Sequence, residues 1–217
     1  MRVKILLMCF VVVALTGCEE DSYYLFNESD FMRGTSGGTT PHSSGSPDGR
    51  WVSSGCIRDQ GDIGTRSKYD IDGAEWEFSQ LFYSRVGCLM PEMVVVTDSI
   101  VMPTGEATME DGRVVKQTEK DVVRQRLAIL DNDTLDAWNE DKACGNIELE
   151  LGMLVDVESC NYGDSIVGKH FYDIYRVEGL QLRLSHRDNG GWARGGKTAK
   201  ARPTSLDMRS SYHWKGQ

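Results

Sequence analysis

From residue 50 onward, apolar side chains recur at every second position, and the interruptions are tight-turn residues. Tyr69 and Ile71 alternate with Lys68, Asp70 and Asp72, while Trp76 and Phe78 alternate with Glu75, Glu77 and Ser79. Asp72-Gly73 stands between the two runs, a strong hairpin signal because glycine adopts positive φ at no steric cost. The same alternation links Val123, Leu127 and Ile129, then Ile147, Leu149 and Leu151, then Leu180, Leu182 and Leu184. Asp111-Gly112 and Glu178-Gly179 read as further turns. A period of two places one apolar and one charged face on each strand. A slip of one residue would turn the charged face inward, so register is strongly specified. No segment carries the 3.6-residue stripe of an amphipathic helix. About eight to ten short strands at hairpin spacing predict an all-β chain folded as an antiparallel barrel or sandwich.

The N-terminus reads as a processing signal. Arg2 and Lys4 precede an apolar stretch from Ile5 to Leu15, and no apolar run reaches the roughly 18 residues of a membrane span. Leu15-Thr16-Gly17-Cys18 then resembles the lipobox of bacterial lipoproteins, in which the cysteine sulfur accepts a diacylglyceryl group and the new amine is acylated, palmitate being a usual chain. The alternative is an ordinary secretory signal with a chance cysteine. The resemblance implies a signal peptide over residues 1–17, lipidation at Cys18 and a membrane held through that lipid. Residue 19 is glutamate rather than aspartate, which in bacterial lipoproteins favours delivery to the outer membrane. Residues 18–48 are rich in Gly, Ser, Thr and Asp and are expected to form a flexible tether. Tyr23, Tyr24, Leu25 and Phe26 are its apolar exception, able to rest on a membrane or on the domain. Residues 49–217 form the expected β domain.

Charge and cysteines narrow the class further. The chain has 33 acidic against 24 basic side chains, a net charge of -9, which disfavours nucleic acid as a partner. Cys9 leaves with the signal, and Cys56, Cys88, Cys144 and Cys160 remain beside Cys18. Four cysteines in an exported domain read as two disulfides with three possible connectivities. Cys56–Cys88 with Cys144–Cys160 is favoured, because each pair brackets neighbouring predicted strands. A metal site is the rival, but it lacks a C-x-x-C pair and a histidine at ligand spacing; no metal is expected.

Gly49-Arg50-Trp51 resembles the first motif of lipocalins, whose tryptophan closes the base of an eight-stranded barrel, often beneath an arginine from the last strand. Arg209 is the candidate for that arginine. A T-D-Y motif of classical lipocalins is absent. A closer likeness is Gly49-Arg50-Trp51-Val52-Ser53-Ser54-Gly55-Cys56, followed by Thr65-Arg66-Ser67, Tyr83-Ser84 and Cys88. This segment, about a fifth of the chain, is similar to the lipocalin-like domain of the secreted adenomatosis polyposis coli down-regulated proteins, which are Wnt antagonists. The resemblance implies the fold, an inward Trp51 at a closed barrel base, the Cys56–Cys88 pairing and binding of lipid-like ligands. A Wnt partner does not carry over to a bacterial lipoprotein.

Several motifs invite sharper chemistry. Residues 191–198, G-W-A-R-G-G-K-T, match the nucleotide-binding P-loop letter for letter. That loop needs a helix after Thr198 to bind phosphate, and Pro203 interrupts it; a Gly-rich loop is expected, with no nucleotide. Asp131-Asn132-Asp133 fails the calcium-loop register at Leu135, Asp136 and Lys142, and reads as a turn between Ile129 and Trp138. His42, His170, His186 and His213 stand singly, and no G-x-S-x-G occurs. No catalytic residue and no cofactor are expected. Trp76, Phe78, Phe82, Trp138, Phe171 and Tyr175 are the candidate lining of a cavity, entered at the end opposite Trp51. The sequence thus predicts a lipid-anchored envelope lipoprotein binding a small hydrophobic or amphiphilic ligand. The alternative is a filled barrel acting as a structural or protein-interaction module through its acidic outside, its protein partner unspecified. Cavity volume separates the two.

Overall fold

The computed structural model describes residues 45–58, 64–84, 88–163, 165–185, 195–208 and 211–216. Ten strands are present: β1 (Gly49–Ser53), β2 (Ile57–Arg58), β3 (Gly64–Asp72), β4 (Glu75–Tyr83), β5 (Pro91–Thr108), β6 (Val114–Ile129), β7 (Val155–Asp156), β8 (His170–Glu178), β9 (Gln181–Leu184) and β10 (Tyr212–Gly216). The sheet runs β1-β10-β9-β8-β6-β5-β4-β3, and β1 also pairs with β3. Every one of these pairings is antiparallel. The result is a closed up-and-down barrel of eight strands, with β2 beside β3 and β7 beside β6.

The expected hairpin is present. Asp72 faces Glu75 across a two-residue loop, and Gly73 takes φ +57° there, a region that L side chains adopt only with strain. Residues directly opposite share a face, so the register fixes the inner wall. Trp51 faces Tyr69, Tyr69 faces Phe78, and Ile71 faces Trp76. Trp51, Tyr69, Ile71, Trp76, Val101, Tyr175, Leu182, Leu184 and Tyr212 form one buried cluster, drawn from β1, β3, β4, β5, β8, β9 and β10. Trp51, Leu182 and Tyr212 have no exposed surface. This part of the barrel is filled by side chains.

Three expectations are corrected. First, the alternation puts Val123 in the inner phase with Leu127, yet it is 51% exposed while Val122 is buried. Asp98 faces Arg124 and Ser99 faces Val122, so a bulge leaves Val123 unpaired and shifts the phase. Second, Ile147–Leu151 is not a strand. Leu149 is buried, but Ile147 and Leu151 are exposed. The Asn139 side chain accepts from Leu149 N (2.9 Å) and donates to Leu149 O (3.0 Å), replacing the hydrogen bonds of a partner strand. Leu180 likewise stands exposed, beside Gly179 in the β8–β9 turn. Third, Asp131-Asn132-Asp133 opens a helix, α1 (Asn132–Glu140), rather than a simple turn. Asp131 caps it, accepting from Thr134 N at 2.9 Å. None of the nine helical residues is buried, and only Leu135 and Trp138 turn an apolar side chain toward the core, too short a stripe to be read from sequence.

Both disulfides have the expected connectivity, Cys56–Cys88 and Cys144–Cys160. The second ties down the segment that follows α1 and runs through β7 to Cys160. Cys144, Leu149, Met153, Val155 and Val157 from that segment pack on Val95, Leu127 and Ile129, with Leu135 and Trp138 of α1 at the edge. That end of the barrel, opposite Trp51, is therefore plugged. The outer face of β4 and β5 is also apolar. Leu81, Tyr83, Val94 and Val96 cluster there with Cys88 and Ala128.

The described part of the P-loop-like stretch has a packing role. Gly196 pairs with Tyr172 of β8, and a Cβ on Gly196 would lie 1.9 Å from the Ala201 carbonyl oxygen. After Thr198 comes a three-residue 3-10 turn, Ala199–Ala201, capped by the Thr198 hydroxyl. Cys18 and Arg209 lie outside the described residues, as do the signal peptide, the tether up to residue 44, His42 and His186. No helix among the described residues is long and apolar enough to cross a membrane.

Candidate functional site

The six aromatic residues chosen from the sequence do not line one chamber. Trp76 and Tyr175 belong to the Trp51 cluster, with Phe78 packed against it. Phe82 and Trp138 lie against the plugged end. Phe171 is in a separate cluster with Val122 and Ile166. Only Trp76 and Tyr175 of the six line a described cavity. They contact each other edge to face, with ring centroids 5.5 Å apart and planes at 63°.

That cavity is a cleft of about 450 Å³ at the Trp51 end. One side is the strap Gly45–Asp48 leading into β1, and the other is the β5–β6 hairpin at Val101, Met102, Pro103, Lys116 and Thr118. The Gly73-Ala74 turn completes the rim. The strap is anchored to the barrel. Trp51 Nε1 donates to the Pro47 carbonyl at 2.5 Å, and Asp48 Oδ1 accepts from Gly73 N at 3.0 Å. The Ser46 hydroxyl donates to Asp48 Oδ2 at 2.6 Å. The opening therefore lies beside Trp51, the reverse of the expected arrangement. A strap closed by one indole and one aspartate was not legible, because the preceding sequence reads as tether.

The electrostatics of the cleft are mixed. Lys116 forms an ion pair with Glu106 on the facing strand. Asp48 makes no ion pair among the described residues. The Tyr175 phenol is held above its usual range, first by burial and then by the Asp48 charge.

A larger concavity, about 860 Å³, lies on the outside of β1, β3, β4, β5 and β6. Arg50, Asp70, Glu77, Asp98 and Arg124 form one cross-strand row beneath it. Asp70 pairs with Arg50 (2.6 Å) and Lys68 (2.7 Å), and Asp98 pairs with Arg126 (2.8 Å). Glu77 lies 3.8 Å from both Lys68 and Arg126. These carboxylates are neutralised by their neighbours, so the row laces the sheet together. Trp76 lines both concavities, but only the smaller cleft adds Tyr175 and so has the paired aromatic lining expected of a small-molecule site.

The histidines remain apart. His170 Nδ1 lies 2.6 Å from Asp121 on the outer wall, and His213 of β10 has its Nε2 3.4 Å from Ser211 Oγ, just before that strand. Among the described residues no group of three His, Cys, Asp or Glu side chains is placed to hold a metal ion. Comparison of the chain with known protein families and with curated proteins finds no match.

Proposed function

We propose that this chain is a lipid-anchored envelope lipoprotein whose lipocalin-like barrel binds a small hydrophobic or amphiphilic ligand at its mouth. One observation carries the binding part: a cleft of about 450 Å³ opens on Trp76 and Tyr175 at one end of the barrel. Its volume falls within the ordinary range of small-molecule sites. The filled core beneath argues against a ligand swallowed whole. Anchoring at Cys18, outer-membrane location and likeness to the adenomatosis polyposis coli down-regulated domain rest on the sequence.

The binding test is a titration with the fluorescent probe N-phenyl-1-naphthylamine. Saturable binding that is weakened by Met102→Asp in the cleft wall supports the reading, and no uptake by the folded protein rejects it. The anchor test is fractionation of cells carrying Cys18→Ser. Release into the soluble fraction is expected, and retention on carbonate-washed membranes refutes lipidation there. A filled barrel acting as a protein-interaction module is the second reading. The concavity of about 860 Å³ on the outer face favours it, and it takes over if the mouth binds nothing.

A further inference from the structure

We infer that the mouth cleft selects a ligand carrying a quaternary ammonium group on an apolar body; this rests on the mouth-binding reading above. Two aromatic side chains, Trp76 and Tyr175, meet at 63° in the lining. Aromatic faces attract cations through the ring quadrupole, and the attraction grows as water is excluded. Both residues are more than nine-tenths buried, so the part they expose to the cleft is a low-dielectric surface.

Asp48 supplies the matching charge. It lies on the strap, lines the same cleft and acts electrostatically on the Tyr175 phenol. Lys116, the cation in the lining, is already engaged by Glu106. The turn at the rim adds two exposed carboxylates, Asp72 and Glu75, on either side of Gly73-Ala74. An anionic headgroup would therefore meet net repulsion at the mouth.

Hydrogen-bond capacity decides between kinds of cation. A primary ammonium brings three N–H donors that need acceptors. Each Asp48 oxygen already accepts one bond, from Ser46 or from Gly73, which leaves about two of its roughly four lone-pair sites for those three donors. A quaternary ammonium has no N–H to satisfy and sheds water readily, so aromatic walls and a nearby carboxylate suffice. Val101, Met102 and Pro103 form the adjoining strip for the apolar body.

The test is isothermal titration of the full chain with octyltrimethylammonium, octanol and octanoate, all below micelle formation and at low salt. Octyltrimethylammonium should bind about tenfold more tightly than octanol, with octanoate weakest. Asp48→Asn, with its fold checked by near-ultraviolet circular dichroism, should bring the ammonium affinity down to about that of octanol. Should that variant not fold, salt provides the second measurement. Raising NaCl about tenfold should weaken the ammonium ligand and spare octanol. Octanol or octanoate binding as tightly as the ammonium would overturn this inference and leave the mouth site standing. If none of the three binds, the mouth-binding reading fails with it.

Discussion

Trp51 Nε1 donates to the Pro47 carbonyl four residues upstream, so one side chain both fills the barrel and pins the strap across its mouth. Trp51→Ala should cost about 3 to 5 kcal/mol, as for other buried large aromatics. Trp51→Phe keeps much of the packing but leaves the carbonyl without its donor, at about 1 to 3 kcal/mol. Urea unfolding measures both. An unchanged midpoint for the alanine variant would remove Trp51 from the core.

Val122 and Val123 make a matched pair for testing the bulge. Val122 is 2% exposed and Val123 is 51% exposed. Val122→Ala should destabilise by about 1 to 2 kcal/mol through lost burial. Val123→Ala should stay within about 0.5 kcal/mol of the parent. The reverse order would restore the uninterrupted alternation.

That pair also shows where sequence reading stops. The alternation in Tyr69, Ile71, Trp76 and Phe78, with Asp72-Gly73 between, was enough to place a hairpin and its inward side, and both are present. A bulge depends on how two strands of unequal spacing are matched across a sheet, so Val123 carries no local mark of it. Ile147–Leu151 alternates as cleanly as a strand, but its backbone is claimed by Asn139, whose role is fixed only by tertiary approach. Helix α1 has its cap, Asp131, in plain view, but only two apolar residues, Leu135 and Trp138, on its core side. At the mouth, Trp76 was legible as an aromatic residue of the inward phase, and Tyr175 as a candidate aromatic of a cavity lining. Asp48 and Pro47 were not, because they act through position rather than composition.

The Cys144–Cys160 bridge spans 16 residues of sequence and should contribute about 3 kcal/mol by limiting the unfolded chain. Replacing both cysteines with serine should lower stability by about that amount and speed amide exchange in the plug around Leu149 and Met153. Non-reducing peptide mapping of the parent should find Cys56 joined to Cys88 and Cys144 joined to Cys160. A cross-linked peptide joining either pair to the other would refute the framework.

Alkaline pH offers a separate probe. Burial raises the phenols of Tyr162 and Tyr175 above the ordinary tyrosine value, with Asp48 adding to the effect at Tyr175. Both groups hold their protons more tightly folded than unfolded. Their contribution is therefore complete below about pH 10, the unfolded value, and is lost as pH rises through the folded values. Ultraviolet titration should show Tyr162 and Tyr175 ionising above the ordinary tyrosine value, together with loss of structure. Tyr162→Phe and Tyr175→Phe together should flatten the fall in stability above about pH 10. An unchanged alkaline slope would contradict this linkage.

The seam between β1 and β10 governs the order in which the molecule is completed. β1 lies near residue 50 and finds one neighbour, β3, as soon as a short length of chain has been made. Its other edge must wait for Tyr212–Gly216, more than 150 residues later. Until those five residues arrive, Trp51 and Tyr69 face an open trough, and the backbone groups along β1 can recruit any passing strand. Closure by so distant a contact is slow. For a nascent chain the hazardous interval is thus the time taken to deliver its last strand, and a chaperone that shields an exposed edge would act on this protein during that interval.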